Sequence, residues 1–189
     1  TAIGARTAES QTHREMSSGL STPVGFKNGT NGDMAIAVNA ILSASRPHSF
    51  LGINGQGRTS IVRTRGNRYG HLVLRGGTQG PNYYPEHVAF AEVLLRKAAI
   101  PTGIVVDCSH DNSHKDYRRQ REVFYDIIQQ LSEGNRSIVG MMLESHLHEG
   151  QQPISTARDR LKYGVSITDS CIGWEETEGL VRHLAQYLE

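Results

Sequence analysis

Six side chains in this 189-residue sequence sit where they could do chemistry together. Three are cations: Arg6 in the opening Gly4-Ala5-Arg6-Thr7, Lys27 after Val24-Gly25-Phe26, and Arg75 after His71-Leu72-Val73-Leu74. Three are ligand types: His110 in Asp107-Cys108-Ser109-His110, Glu144 after Met141-Met142-Leu143, and Asp169 after Ile167-Thr168. Cations flanked by glycine suit a phosphate or carboxylate, because glycine lets backbone N–H groups approach the anion. One neutral imidazole with two carboxylates suits a divalent first-row metal, which can act as a Lewis acid on a carbonyl. Each residue also has a plain reading: a solvated charge, an Asx turn, a helix cap. It is the joint pattern that points to one site. His146 and His148 read as bystanders, Cys108 adjoins the site but is set aside as a ligand because adjacent strand residues point to opposite faces, and Cys171 reads as a buried thiol. The run Lys115, Asp116, Arg118, Arg119, Arg121 reads as a solvated helix face.

The elements that must position these groups alternate. Strand-like runs occur at Val24–Phe26, Ser49–Ile53, His71–Leu74, Gly103–Val106 and Ser137–Leu143, with a weaker one at Gly164–Thr168. They read as short strands buried on both faces. Helical stripes lie between them: Met34, Val38, Ile41 and Leu42 after a capping Asp33; Val88, Ala91, Leu94, Leu95 and Ala98 after Pro85. Phe124, Ile127, Ile128 and Leu131 stop near Gly134, Leu180, Val181, Leu184 and Leu188 form the last stripe, and a weakly patterned helix spans about 8–18. Such alternation argues for βαβ units and a parallel sheet, whose chemistry gathers at the strands' carboxyl ends. Residues from about 54 to 70 read as an inserted β-hairpin. No linker or repeat divides the chain, so it reads as one domain or part of one.

Composition sets outer limits. Twenty Lys+Arg against nineteen Asp+Glu give a net charge of +1, which argues against a globally basic nucleic-acid binder. No apolar run approaches the roughly 20 residues that span a bilayer. Two Cys make no disulfide framework, and a reducing cytoplasm is the expected compartment.

Several longer segments resemble one family. They are Gly4-Ala5-Arg6-Thr7-Ala8-Glu9-Ser10, Pro23-Val24-Gly25-Phe26-Lys27-Asn28-Gly29-Thr30, Leu74-Arg75-Gly76-Gly77, Pro81-Asn82-Tyr83, Asp107-Cys108-Ser109-His110, Glu144-Ser145 and Ser166 through Trp174. In order and in type they resemble the type I, aromatic-amino-acid-regulated 3-deoxy-D-arabino-heptulosonate 7-phosphate (DAHP) synthases. The resemblance implies a (β/α)8 TIM barrel, of which this chain supplies roughly the second half plus the hairpin. It implies condensation of phosphoenolpyruvate with erythrose 4-phosphate, the first step of the shikimate pathway, and a divalent metal (Mn, Fe, Co or Zn). Arg6, Lys27 and Arg75, with the Ala5 backbone N–H, match the phosphoenolpyruvate contacts. His110, Glu144 and Asp169 match three of four metal ligands; Lys27 and His110 are the catalytic candidates. Asp107 belongs to the same motif without an assigned role. The family's fourth ligand, a Cys on an early strand, and its Lys-Pro-Arg-Thr segment have no counterpart in this sequence. Leu20, Ser21, Phe50, Gly52 and Val62 match an aromatic-amino-acid pocket. Gly52 leaves room where phenylalanine-controlled relatives tend to carry Ser, which favours tyrosine as feedback inhibitor. A homodimer or homotetramer is the expected assembly. Two alternatives stand beside this reading: a 3-deoxy-manno-octulosonate 8-phosphate synthase-like enzyme, and a non-catalytic phospho-ligand or amino-acid-binding module.

Overall fold

A computed structural model of the chain describes residues 1–155 and 157–188. Five strands form one all-parallel sheet: β1 (Ala2–Ile3), β2 (Val24–Lys27), β5 (Gly70–Leu74), β6 (Ile104–Asp107) and β7 (Ile138–Met142). They lie side by side in chain order, with no reversal. Two further strands, β3 (Ser49–Ile53) and β4 (Thr59–Arg63), pair antiparallel as a separate hairpin. The helices are α1 (Gln11–Ser18), α2 (Met34–Ala44), α3 (Pro85–Lys97), α4 (Gln120–Ser132) and α5 (Trp174–Leu188). None is long and apolar enough to cross a membrane.

Strand alternation divides the sheet into two unlike faces. Val24, Phe26, Leu72, Leu74, Ile104 and Val106 turn to the helices and share one core with Val38, Ile41, Val88, Leu95, Phe124 and Ile127. Full burial of each large side chain contributes roughly 1.5–3 kcal/mol. The opposite face follows from the register: Lys27 pairs with Val73, Val73 with Val105, and Val105 with Gly140. One step further along their strands, Arg75 and Asp107 belong to this second face.

Local chemistry fixes the helix ends. Asp33 accepts from the Ala35 N–H at 2.8 Å and caps α2, and Pro85 opens α3. Ser10 caps α1, so that helix starts at Gln11 instead of near Ala8. Gly134, at φ 100°, follows α4 as a left-handed stop. The Leu188 side chain, expected on the last stripe, lies outside the described residues.

Four expectations need correction. Ser49–Ile53 is no sheet strand: it pairs residue for residue with Thr59–Arg63, so the hairpin spans 49–63, not 54–70. Its alternating exposure betrays a two-stranded ribbon, with Leu51, Ile53 and Ile61 on the exposed side. Gly164–Thr168 forms only a bridge, Ser166 with Gln151, because Gln152 clamps the segment through Lys162 and Val165. β7 is not buried on both faces, since it ends the sheet among the described residues and leaves Val139 exposed. The charged run 115–121 is not one helix face: Lys115 lies in a turn, Arg118 and Arg119 in a short 3-10 helix (Tyr117–Arg119), and only Arg121 in the first turn of α4.

Two backbone contacts hold the ends of α2. A Cβ on Gly77 would overlap the Gly32 backbone just before the helix, and one on Gly66 would overlap the Ser45 carbonyl just after it. Gly77→Ala is therefore expected to destabilise the chain by about 1–3 kcal/mol. Gly179→Ala, in α5 with open space around it, should stabilise by about 0.5–1 kcal/mol. Urea denaturation of both variants checks the contrast; equal midpoints would contradict it.

His71, half-buried on β5, supplies a pH prediction. Burial, the largest influence, lowers its pKa below the ordinary 6.5 against a backbone hydrogen bond at Tyr69 that raises it. Between the folded value and 6.5 the unfolded chain binds more protons. Stability from this group is thus complete above pH 6.5 and declines as pH falls below it. Denaturation at pH 7.5 and 5.5 should show a shallower loss for His71→Gln than for the unaltered chain. An identical loss in both would refute the assignment.

Candidate active site

The six side chains singled out by type converge at the carboxyl ends of the parallel strands. One cleft of about 330 Å³ is lined by Ala5, Arg6, Lys27, Arg75, His110 and Asp169, with Gly4, Thr7 and Thr30. It continues into a second cleft that adds Asp111, Lys115 and Gln151. Glu144 joins through the ligand cluster: one donor atom each from His110, Glu144 and Asp169 lie within 4.8 Å of one another.

Each cation on the second face of the sheet is held by a carboxylate. Arg75 is 8% exposed, and its Nη1 donates to Asp111 Oδ2 at 2.5 Å. Lys27 Nζ donates to Asp107 Oδ2 at 2.7 Å. Burying a charge without such a partner is costly, so these pairs are a condition for placing the cations here. Arg6 is exposed at the rim, and Lys115 reaches within 3.7 Å of Asp111 Oδ1.

Three buried asparagines shape the loop after β5. Asn28 Oδ1 accepts the Arg75 N–H at 2.8 Å and Asn82 Nδ2 at 3.1 Å. Asn82 Oδ1 accepts the Gly76 N–H at 2.7 Å, and Asn112 Oδ1 accepts the Asn82 N–H at 2.8 Å. Asn112 Nδ2 donates to the Leu74 and Asp107 carbonyls. The network ties the ends of β2, β5 and β6 into one frame. Gly76, at φ 73°, takes a left-handed conformation inside it.

The ligand cluster has its own supports. Asp107 Oδ2 also stands 2.9 Å from His110 Nδ1, so its charge bears directly on the imidazole. His110 Nε2 lies on the other side, 3.8 Å from Asp169 Oδ2. His110 is left-handed at φ 54°, a conformation His tolerates better than most residues. Buried Gln120 clamps Glu144 by its backbone: Nε2 donates to the Glu144 carbonyl at 3.0 Å, and Oε1 accepts its N–H at 2.8 Å. Burial and then the Asp169 charge push the Glu144 pKa up. Two carboxylates crowded beside an imidazole whose Nδ1 faces another acid form a donor set that a divalent cation would relieve. The residues present therefore fit a metal.

The pattern of residue types picked out the side chains that converge here but not the residues that hold them. Asp111, Asn112 and Gln120 carried no signal of their own, and Asp107 and Asn82 only that of their motifs. His146 and His148 stand outside the ligand cluster, and Cys108 and Cys171 are buried. Burial pushes both thiols up. At the hairpin base, Leu20, Ser21 and Val62 line a separate cleft. Phe50 pairs with Val62 and Gly52 with Ser60, but neither lines that cleft.

Comparison with known proteins fits this geometry. The profile of the DAHP synthetase I family matches residues 1–182. The Tyr-sensitive phospho-2-dehydro-3-deoxyheptonate aldolase of Escherichia coli (strain K12) is 54% identical over 187 residues, covering 99% of this chain and 52% of that protein. The Tyr-sensitive relative from Enterobacter agglomerans is 55% identical over 188 residues, covering 100% of this chain and 88% of that one. The Phe-sensitive enzyme of Escherichia coli (strain K12) is 50% identical over 184 residues, with 97% and 52% covered. The solved phospho-2-dehydro-3-deoxyheptonate aldolase of Francisella tularensis SCHU S4 superposes with a TM-score of 0.92 at 48% identity, covering 98% of this chain and 54% of that one. Against most of these relatives the chain spans about half the length. With its fold, its cleft and its sequence in agreement, the chain belongs to the DAHP synthetase I family.

Proposed function

We propose that the protein carrying this chain condenses phosphoenolpyruvate with erythrose 4-phosphate to give DAHP and inorganic phosphate. The convergence of Arg6, Lys27 and Arg75 with His110, Glu144 and Asp169 on one cleft carries this reading. We read the five consecutive parallel strands as part of a (β/α)8 barrel, with the polar face as its interior. The unreversed strand order supports that reading. The octulosonate synthase alternative has no such support, because the matched relatives are heptonate aldolases.

In the reaction, carbon 3 of phosphoenolpyruvate forms a bond to the aldehyde carbon. Water adds at carbon 2, and phosphate leaves with C–O cleavage. Arg6, Lys27 and Arg75 hold the carboxylate and phosphate and offset charge that grows as the bonds change. The Ala5 backbone N–H adds a donor at the same anion. His110, Glu144 and Asp169 would hold a divalent ion, which supplies a Lewis acid for the aldehyde oxygen. Asp107 and Asp111 keep the cations aimed before substrate arrives, so little reorganisation is needed at the moment of reaction.

The cleft at the hairpin base supports a feedback site for an aromatic amino acid. A Cβ on Gly52 would stand 2.5 Å from Val62 Cγ2, so a larger residue there must push Val62, which lines that cleft. This favours tyrosine, the larger ligand, in the pocket as it stands.

Calorimetric titration of the chain with phosphoenolpyruvate and Mn²⁺ tests the anion site. Loss of a charge-assisted hydrogen bond costs about 1.5–3 kcal/mol. Arg75→Ala should therefore weaken phosphoenolpyruvate binding by roughly 10- to 100-fold. Unchanged affinity would remove Arg75 from the site. For regulation, tyrosine should inhibit the full-length protein more strongly than phenylalanine, and Gly52→Ser should narrow or reverse that preference. Equal insensitivity to both amino acids would sink the feedback reading.

A further inference from the structure

Two cations of the cleft end on carboxylates, and the buried one, Asp107, also stands beside the imidazole of His110. Asp107 Oδ2 lies 2.7 Å from Lys27 Nζ and 2.9 Å from His110 Nδ1, and the Asp107 side chain is 1% exposed. A single oxygen faces both. Its companion Oδ1 accepts the Ser109 N–H at 2.9 Å, and the Asp107 carbonyl accepts from Asn112 Nδ2 at 2.8 Å. The carboxylate is pinned at both ends. The oxygen between the two partners is the acidic half of an ion pair with the Lys27 ammonium.

Its charge is divided between an ammonium and an imidazole. The ammonium is the partner that an anionic substrate competes for. When a phosphate or carboxylate draws Lys27 Nζ toward itself, more of the Asp107 charge bears on His110 Nδ1. A carboxylate acting on one ring nitrogen makes the other a better metal donor. We propose that Asp107 is a positioning residue that couples the two halves of the cleft, so that anion binding at Lys27 tightens cation binding at His110, Glu144 and Asp169. Linkage makes the effect reciprocal: the cation tightens the anion by the same factor. The inference rests on the functional reading above. Asp111 is the internal control. It holds Arg75 as Asp107 holds Lys27, and although it follows His110 in the chain, its carboxylate pairs with Arg75 and Lys115 and, among the described residues, makes no ion pair with the ligand cluster.

The test uses calorimetry on the chain. Mn²⁺ is titrated with and without saturating phosphoenolpyruvate, and phosphoenolpyruvate with and without saturating Mn²⁺. In the unaltered chain each ligand should tighten the other by about fivefold or more. Asp107→Asn should still bind both, with Mn²⁺ weakened by roughly 10- to 100-fold, and the coupling factor should fall toward one. Asp111→Asn should weaken phosphoenolpyruvate and keep the coupling. Direct attraction between the two ligands would survive Asp107→Asn, so only the lost part belongs to Asp107. A second readout needs no variant and no metal. Phosphoenolpyruvate should shift the His110 ring-nitrogen resonances of the unaltered, ¹⁵N-histidine-labelled chain. Bound phosphoenolpyruvate with unmoved His110 resonances overturns the proposal, as does full coupling in Asp107→Asn. Failure of the functional reading looks different: a folded chain that binds neither ligand overturns that reading and this inference with it.

Discussion

A guanidinium kept from water must find its opposite charge inside the protein, and Arg75 imposes that demand on everything around it. Its side chain is almost wholly covered, so Asp111 has to meet it and the loop after β5 has to hold it in line. That loop is built from backbone groups that would otherwise be stranded. Asn28, Asn82 and Asn112 supply their partners and draw on three different strand ends to do so. The asparagines are buried for the sake of the arginine, and the strand ends are locked together for the sake of the asparagines.

The same logic runs across the polar face of the sheet. Lys27 and His110 lean on Asp107, while Glu144 is gripped through its backbone by Gln120, leaving its carboxylate uncommitted. Cationic and ligating groups are thus supported by different means. The cations are neutralised by acids. The ligands are aimed but left with spare charge. On the proposed reading, a cleft arranged this way gives an anion and a cation adjacent places without either protein set cancelling the other.

Much of this was legible in the sequence, for a physical reason. Apolar runs ending in Lys27, Arg75, His110 and Glu144 mark both a buried strand and its functional end, so type and position were read together. Helix caps at Asp33 and Pro85 were equally local. The hairpin was misplaced because Ser49–Ile53 is apolar enough to pass for a sheet strand. Only its pairing with Thr59–Arg63 separates the two, and pairing is not a local property. The supporting residues were invisible for a similar reason. Asn82 and Gln120 look like ordinary polar residues until contacts 54 and 24 positions away give them work.

The anchoring of α2 has one more consequence. Gly32 meets Gly77 before its first turn, and Gly66 meets Ser45 after its last, in both cases at backbone with no side chain to yield. One residue inserted in this helix would advance its end by about 1.5 Å and turn it by about 100°. One of the two seats would then be lost. The outward surface of α2 is free to drift in composition, whereas its count of eleven residues is not. Length, more than sequence, is what this helix must pass on to any descendant that keeps the cleft.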